Sequence, residues 1–218
     1  MRYVIILLLV FTSSCKNEDK KELNQTIFCD NERYYFKNKP HFNFDLNLNQ
    51  TQVELVKSIE KNVLNKTDLC AHLIFNSKMK LKNEVLEIPY IYRKDCGAIV
   101  RYNTMSLIIN SDGDFIFWNE LINIEDFKHE IASILKHQTK GLNINLLIEL
   151  EVYPGLAQDK FNKIITEFYK GISMLTEEMS ISKFRKSFCE LNKSEVDSIS
   201  SKFRVYFTNL EENVVEKE

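Results

Sequence analysis

Apolar and polar residues alternate from His41 to Asn49 (HFNFDLNLN). Phe42, Phe44, Leu46 and Leu48 share one face, Asn43, Asp45 and Asn47 the other, the period-2 pattern of a half-buried strand. The period then changes. Asn49 reads as an N-cap with Gln52 three places on, as in a capping box. Val53, Val56, Ile59 and Val63 recur at helical spacing to about Leu64, and Asn65–Asp68 closes the helix. Residues 70–75 (CAHLIF) and 85–92 (VLEIPYIY) read as short strands. Pro89 has no N–H to give to a ladder, which assigns the second to an edge or a bulge.

The second half is patterned more strongly. Met105–Ile109 is a strand, Asp112-Gly113 a type I′ turn that tolerates positive φ, and Phe115–Trp118 the return strand. Asn123 caps a helix, with Asp126 facing its free amides. Ile124, Phe127, Ile131, Ile134 and Leu135 form its apolar face, and Lys140-Gly141 ends it. Leu142–Val152 is a long apolar strand, expected at the sheet centre. Pro154-Gly155 turns the chain into a long helix striped by Phe161, Ile164, Ile165, Phe168, Ile172, Leu175 and Met179. A short helix is expected around Lys183–Leu191. A last strand follows, with Phe203, Val205 and Phe207 opposite Arg204, Tyr206 and Thr208. The order β-β-α-β-α, then β, predicts an α+β fold: a layered mixed sheet with helices packed on one face. The first half, β-α-β-β, fits either a second small layer or an extension of the same sheet.

Composition narrows the class. The chain has 218 residues, 28% charged and 44% hydrophobic, with a formal charge of −2. That suits a folded body with a proper core and excludes a disordered chain. It also argues against a general nucleic-acid binder, which carries a basic surplus. The first fifteen residues, MRYVIILLLVFTSSC, change the picture. Arg2 precedes an apolar run, Tyr3 to Phe11, shorter than the ~18 residues a membrane span needs but suited to a signal h-region. Thr12, Ser13 and Ser14 are small, and Cys15 follows at once. This segment resembles a bacterial lipoprotein signal. The resemblance implies cleavage before Cys15, acylation of Cys15 and a place in the cell envelope, on the periplasmic or surface face of the outer membrane. Thr12 stands where the usual box has leucine, as in the looser boxes of some bacterial groups. Lys16–Glu22 is a solvated tether, and Glu18 with Asp19 resembles the surface-export signals of Bacteroidetes lipoproteins. The chain thus divides into a signal (1–14), a lipidated tether (15–38), an N-terminal α+β region (39–97) and a second α+β region with a C-terminal helix and strand (98–218).

Setting Cys15 aside leaves Cys29, Cys70, Cys96 and Cys189, an even number that permits two disulfides in an oxidising compartment. Three pairings are open. Cys70–Cys96 with Cys29–Cys189 is favoured, because the first closes a local loop and the second ties both ends of the folded part. There is no C-x-x-C.

Residues 105–172 resemble the periplasmic domain of the ExbD/TolR family. The features are a strand, a DG turn, a strand ending in Trp118-Asn119, a helix opening IEDFKHEI, the strand INLLIEL and a helix carrying FNKIITEF up to Gly171-Ile172. Phe161, Ile164, Ile165 and Gly171 follow the family's aromatic, β-branched pair and glycine spacing. The family's membrane helix with its proton-path aspartate has no counterpart. Glu149 and Glu151 are out of register with the acid that usually follows the third strand. The resemblance therefore implies partner binding near a TonB- or Tol-type system, not proton-driven work.

Motifs for chemistry are absent. Among His41, His72, His129 and His137, the pair on one helix is eight residues apart, too far for two metal ligands, and there is no H-E-x-x-H. Asn110, Asp112 and Asp114 miss the spacing of an EF-hand and fit a hairpin turn. No G-x-S-x-G or glycine-rich phosphate loop occurs. No catalytic residue, metal ligand or cofactor is expected. Tyr34, Tyr35 and Phe36 are expected to cap the core or to form a contact patch. The pattern points to a non-catalytic envelope lipoprotein that binds a protein or the peptidoglycan, with its oligomeric state open. The rivals are an immunity-type lipoprotein that neutralises a toxin, and an enzyme with an unrecognised site.

Overall fold

The computed structural model describes residues 26–37, 42–43, 54, 57–59, 61, 73–81, 84–92, 103–138 and 144–208. In chain order these hold helix α1 (Asp30–Phe36), then strands β1 (Phe42–Asn43), β2 (Leu73–Lys80), β3 (Val85–Tyr92), β4 (Asn103–Ile109), β5 (Phe115–Phe117) and β6 (Glu120–Leu121). Helix α2 (Phe127–Gln138), strand β7 (Ile144–Val152), the long helix α3 (Gln158–Phe184), a 3₁₀ turn (Phe188–Glu190), helix α4 (Lys193–Ser200) and strand β8 (Phe203–Thr208) complete them. The strands form one mixed sheet in the order β1-β2-β3-β8-β7-β4-β5-β6. Its middle, β3, β8, β7 and β4, is parallel, and antiparallel partners extend it on both sides.

The α+β expectation holds, and the first half extends the same sheet. Strand β8 joins the halves. It pairs with β3 through Tyr90↔Phe207 and Ile91↔Thr208, and with β7 from Ile144↔Phe203 to Glu149↔Thr208. Alternation puts one apolar set under the helices: Leu86, Ile88 and Tyr90, then Phe203, Val205 and Phe207, then Leu146, Ile148 and Leu150, then Met105, Leu107 and Ile109, then Phe115 and Phe117, all buried. Phe127, Ile131 and Leu135 of α2, and Phe161, Ile164, Ile165, Phe168, Ile172 and Leu175 of α3, close over them. Phe168 is the aromatic hub, with ring centroids 5.3 Å from Phe207, 5.7 Å from Tyr169 and 6.2 Å from Phe117 and Phe127.

Helices α2 and α3 cross at Gly171. A Cβ placed there would lie 2.7 Å from the Ile131 side chain and 2.7 Å from the Lys128 carbonyl oxygen. Backbone cannot swing aside, so Gly171→Ala should lower stability by roughly 1–3 kcal/mol. That outcome would reverse the ~1 kcal/mol that alanine gains over glycine in an open helix. Urea unfolding reads it, and an unchanged midpoint would mean that the helices part freely.

Four expectations are corrected. Strand β3 is third in the sheet order, not an edge; its ladder to β8 starts only at Tyr90, just past Pro89, which has no N–H to offer. The Asp112-Gly113 turn is not type I′. Gly113 donates to the Asn110 carbonyl, and Gly113 (φ 85°), not Asp112, takes the left-handed conformation. This is a three-residue loop in which a type I turn runs into a left-handed glycine. The helix expected over Lys183–Leu191 is the end of α3 followed by the 3₁₀ turn. Arg185 (φ 57°) takes the left-handed C-cap, and the buried Ser180 hydroxyl donates to the Lys186 carbonyl. Finally, α1, β6 and α4 are additional elements, and α1 lies within the stretch 15–38 expected to be tether. The rest of the 41–49 strand beyond Asn43, residues 70–72 and Lys140-Gly141 lie outside the described residues. Of the 49–64 helix, residues 54, 57–59 and 61 are described, and they are helical, with Ile59 buried.

Candidate binding surface

The sheet face turned away from α2 and α3 is buried at Leu147 and Thr208 and opens toward β6. Register sets Ile108, Ile116 and Leu121 side by side across β4, β5 and β6. Ile108 is half-buried, Ile116 is 39% exposed and Leu121 77% exposed. Strand β6 ends the sheet on this side among the described residues.

The turn that makes this corner is unusual. Phe117 pairs with Glu120, leaving Trp118 and Asn119 as a two-residue connection. Their φ values are 49° and 69°. Positive φ at both central residues marks a type I′ turn, the form that suits strand twist. Asparagine tolerates that region, but a bulky side chain is an outlier there and costs about 1–2 kcal/mol. Trp118 is the only tryptophan in the chain and is 44% exposed. The turn is held by the Trp118 N–H, which donates to the Ser106 carbonyl at 2.9 Å. Strain of this kind persists where the surroundings impose it, and it gathers at contact sites. The corner offers an indole, two exposed aliphatic side chains and, among the described residues, the last strand of the sheet.

At the other side of the molecule the N-terminal segment is clamped. Cys29 and Cys189 form a disulfide with a Cα separation of 6.0 Å, as the favoured pairing has it. Glu32 accepts from the Cys29 N–H at 2.7 Å. These three residues are the one metal-type cluster of Cys, His, Asp and Glu among those described, but both sulfurs are taken up by the bond. The Asn31 amide donates to the Phe188 and Leu191 carbonyls. Arg33 meets the nearly buried Glu84, which also takes the Ile27 N–H. Tyr35 and Phe36 cap the core, as expected of them, whereas Tyr34 is exposed and donates to Asp197. The Tyr35 hydroxyl donates to the Phe203 carbonyl at 2.7 Å, at the end of β8 that β3 does not reach.

Burial pushes the phenols of Tyr35 and Tyr169 well above their ordinary range. The folded chain keeps both protons, while the unfolded chain releases them above about pH 10. Stability should therefore be level below that pH and fall above it, by up to about 2.7 kcal/mol per pH unit for the two groups together. Urea midpoints between pH 8 and pH 11 test this, and Tyr169→Phe should halve the slope.

Of the sites anticipated, Cys29 and Cys189 are brought together; Cys15, Cys70 and Cys96 lie outside the described residues, as do His41 and His72. His129 and His137 are exposed on α2. Asn110 and Asp114 satisfy each other across their turn, side chain to backbone at 2.8 Å and side chain to side chain at 3.2 Å. No described helix is long and apolar enough to cross a membrane. The Trp118 corner was not anticipated, because nothing in Phe-Trp-Asn-Glu spells a turn as Asn-Gly does. Over 105–172 the element order is β-β-α-β-α with the short β6 added. No family model matches the chain, and neither does any curated protein or solved structure.

Proposed function

We propose that this chain is an envelope lipoprotein anchored through Cys15, whose folded part is a non-catalytic module that binds a protein partner through the Trp118 corner. The observation that supports it most is the strained, half-exposed Trp118 beside Leu121 on the last described strand of the sheet. Aromatic anchors of this kind dominate the energy of protein interfaces. The lipoprotein part rests on residues 1–15. Acyl chains add about 0.8 kcal/mol per buried methylene and hold such a module at a membrane face. Cys15→Ala should release the chain from membranes; a variant that still sediments with them would overturn the anchor.

The binding reading is tested in cells with the native signal retained and a photo-crosslinking residue at position 121. A discrete adduct is expected there and not at the exposed position 163 on α3. Equal labelling at both positions would remove the corner from the account. An adduct with TonB- or Tol-type components would make the ExbD/TolR resemblance functional, whereas a single secreted toxin would assign the corner to immunity.

A further inference from the structure

The apolar side chains around Trp118 are bordered by acids. Register lines up Glu151 of β7, Ile108 of β4, Ile116 of β5 and Leu121 of β6 in one row across the sheet. Trp118 stands one strand period beyond Ile116. Strand β6 opens with the exposed Glu120, which faces Phe117 across the turn that holds Trp118. Glu125 and Asp126 follow Leu121 within five residues, and both are exposed. From Ile116 to Glu130 the chain has four acids and one lysine, whereas the whole chain is close to balance at −2. The exposed surfaces of Ile116, Trp118 and Leu121 therefore sit within a local excess of negative charge. Complementary charge steers a partner to such a surface and rejects like-charged ones. Of the two basic side chains, arginine suits this one better. Its planar guanidinium stacks on an aromatic face while it forks onto a carboxylate, which a lysine ammonium does not. Its apolar stem covers aliphatic surface while the head stays wet.

We propose that the Trp118 corner takes a cationic protein segment that presents an arginine beside an apolar residue. The guanidinium stacks on the Trp118 indole and pairs with Glu120, and the apolar neighbour covers Ile116 and Leu121. The proposal rests on the corner being the contact surface and adds the chemistry of its partner.

Trp118 is the sole tryptophan, so its emission reports occupancy of the corner directly. The probe is an end-capped peptide of alternating leucine and arginine, with lysine and glutamate versions beside it. The arginine peptide should shift the emission saturably, the lysine peptide more weakly and the glutamate peptide not at all. Glu120→Gln should weaken the arginine peptide roughly two- to fivefold, as for an exposed ion pair. Raising salt from about 0.05 M to about 0.5 M should weaken it as well. No saturable shift with the arginine peptide, equal affinity for the glutamate peptide, or unchanged affinity in Glu120→Gln overturns the proposal. In cells, the adduct at position 121 separates it from the broader reading. An adduct undiminished by Glu120→Lys with Glu125→Lys keeps the corner as contact surface and overturns the cationic partner. Absence of any adduct from the parent chain overturns both.

Discussion

With Cys29 and Cys189 both replaced by serine, the chain should lose roughly 2–5 kcal/mol of unfolding free energy, the usual result of removing a native disulfide. The bond spans 160 residues, so it closes nearly the whole folded part into one loop. In the chain-entropy picture a loop of that length restrains the unfolded ensemble by about 5 kcal/mol, an upper figure. Residual structure in the unfolded chain brings measured values below it. The segment that Cys29 begins is also held by Asn31 on the 3₁₀ turn, by Arg33 on Glu84, by Tyr35 on Phe203 and by the Phe36 ring 4.6 Å from Tyr169. These contacts keep the segment docked after the bond is gone. The serine variant should therefore unfold in one transition at lower urea, with a steeper denaturant slope because its unfolded state is less compact. Two transitions would mean that the N-terminal segment detaches alone. A loss below about 1 kcal/mol would mean that the bond hardly restrains the unfolded chain, and the disulfide's part in stability would be withdrawn.

What was legible in the sequence follows how local the deciding interactions are. Strand β7 is legible as a long apolar run and helix α3 as a stripe repeated over many residues, and burial of Phe161, Ile165, Phe168 and Ile172 follows that stripe. The pattern of β8 was equally readable: Phe203, Val205 and Phe207 do share the buried face. Its position between β3 and β7 was not, since parallel pairing is decided by strands far away in the chain. Helix α4 carries a local signal of its own. Asn192 accepts from the Glu195 N–H while Glu195 accepts from the Asn192 N–H, a reciprocal cap written as Asn-x-x-Glu. The corner was illegible for a different reason. A type I′ turn is recognised by residues that favour positive φ, and tryptophan does not; only register between β5 and β6 forces Trp118 into it. That conflict between local preference and fold is itself the pointer to the candidate surface.

Trp118→Gly should separate the role of that side chain from the role of its backbone. Glycine adopts positive φ without cost, so the ~1–2 kcal/mol held against tryptophan in the left-handed region is relieved. Lost contacts of the partly buried ring oppose that gain. The glycine variant should therefore stay within about 1 kcal/mol of the parent and fold normally. Trp118→Ala removes the same ring but keeps a Cβ at φ 49°, so it should be less stable than the glycine variant by about 1 kcal/mol. Partner capture should not follow this order. Both variants lack the indole, and truncating an aromatic anchor at the centre of an interface costs 2 kcal/mol or more. Each should therefore weaken association about thirtyfold or beyond, seen as loss of the adduct formed at position 121. Stability that separates the two variants, with binding lost alike in both, would fit a tryptophan held under strain for contact. If both variants bind like the parent, Trp118 is only a turn residue. If binding falls in step with stability, the corner acts through the fold and the contact surface lies elsewhere.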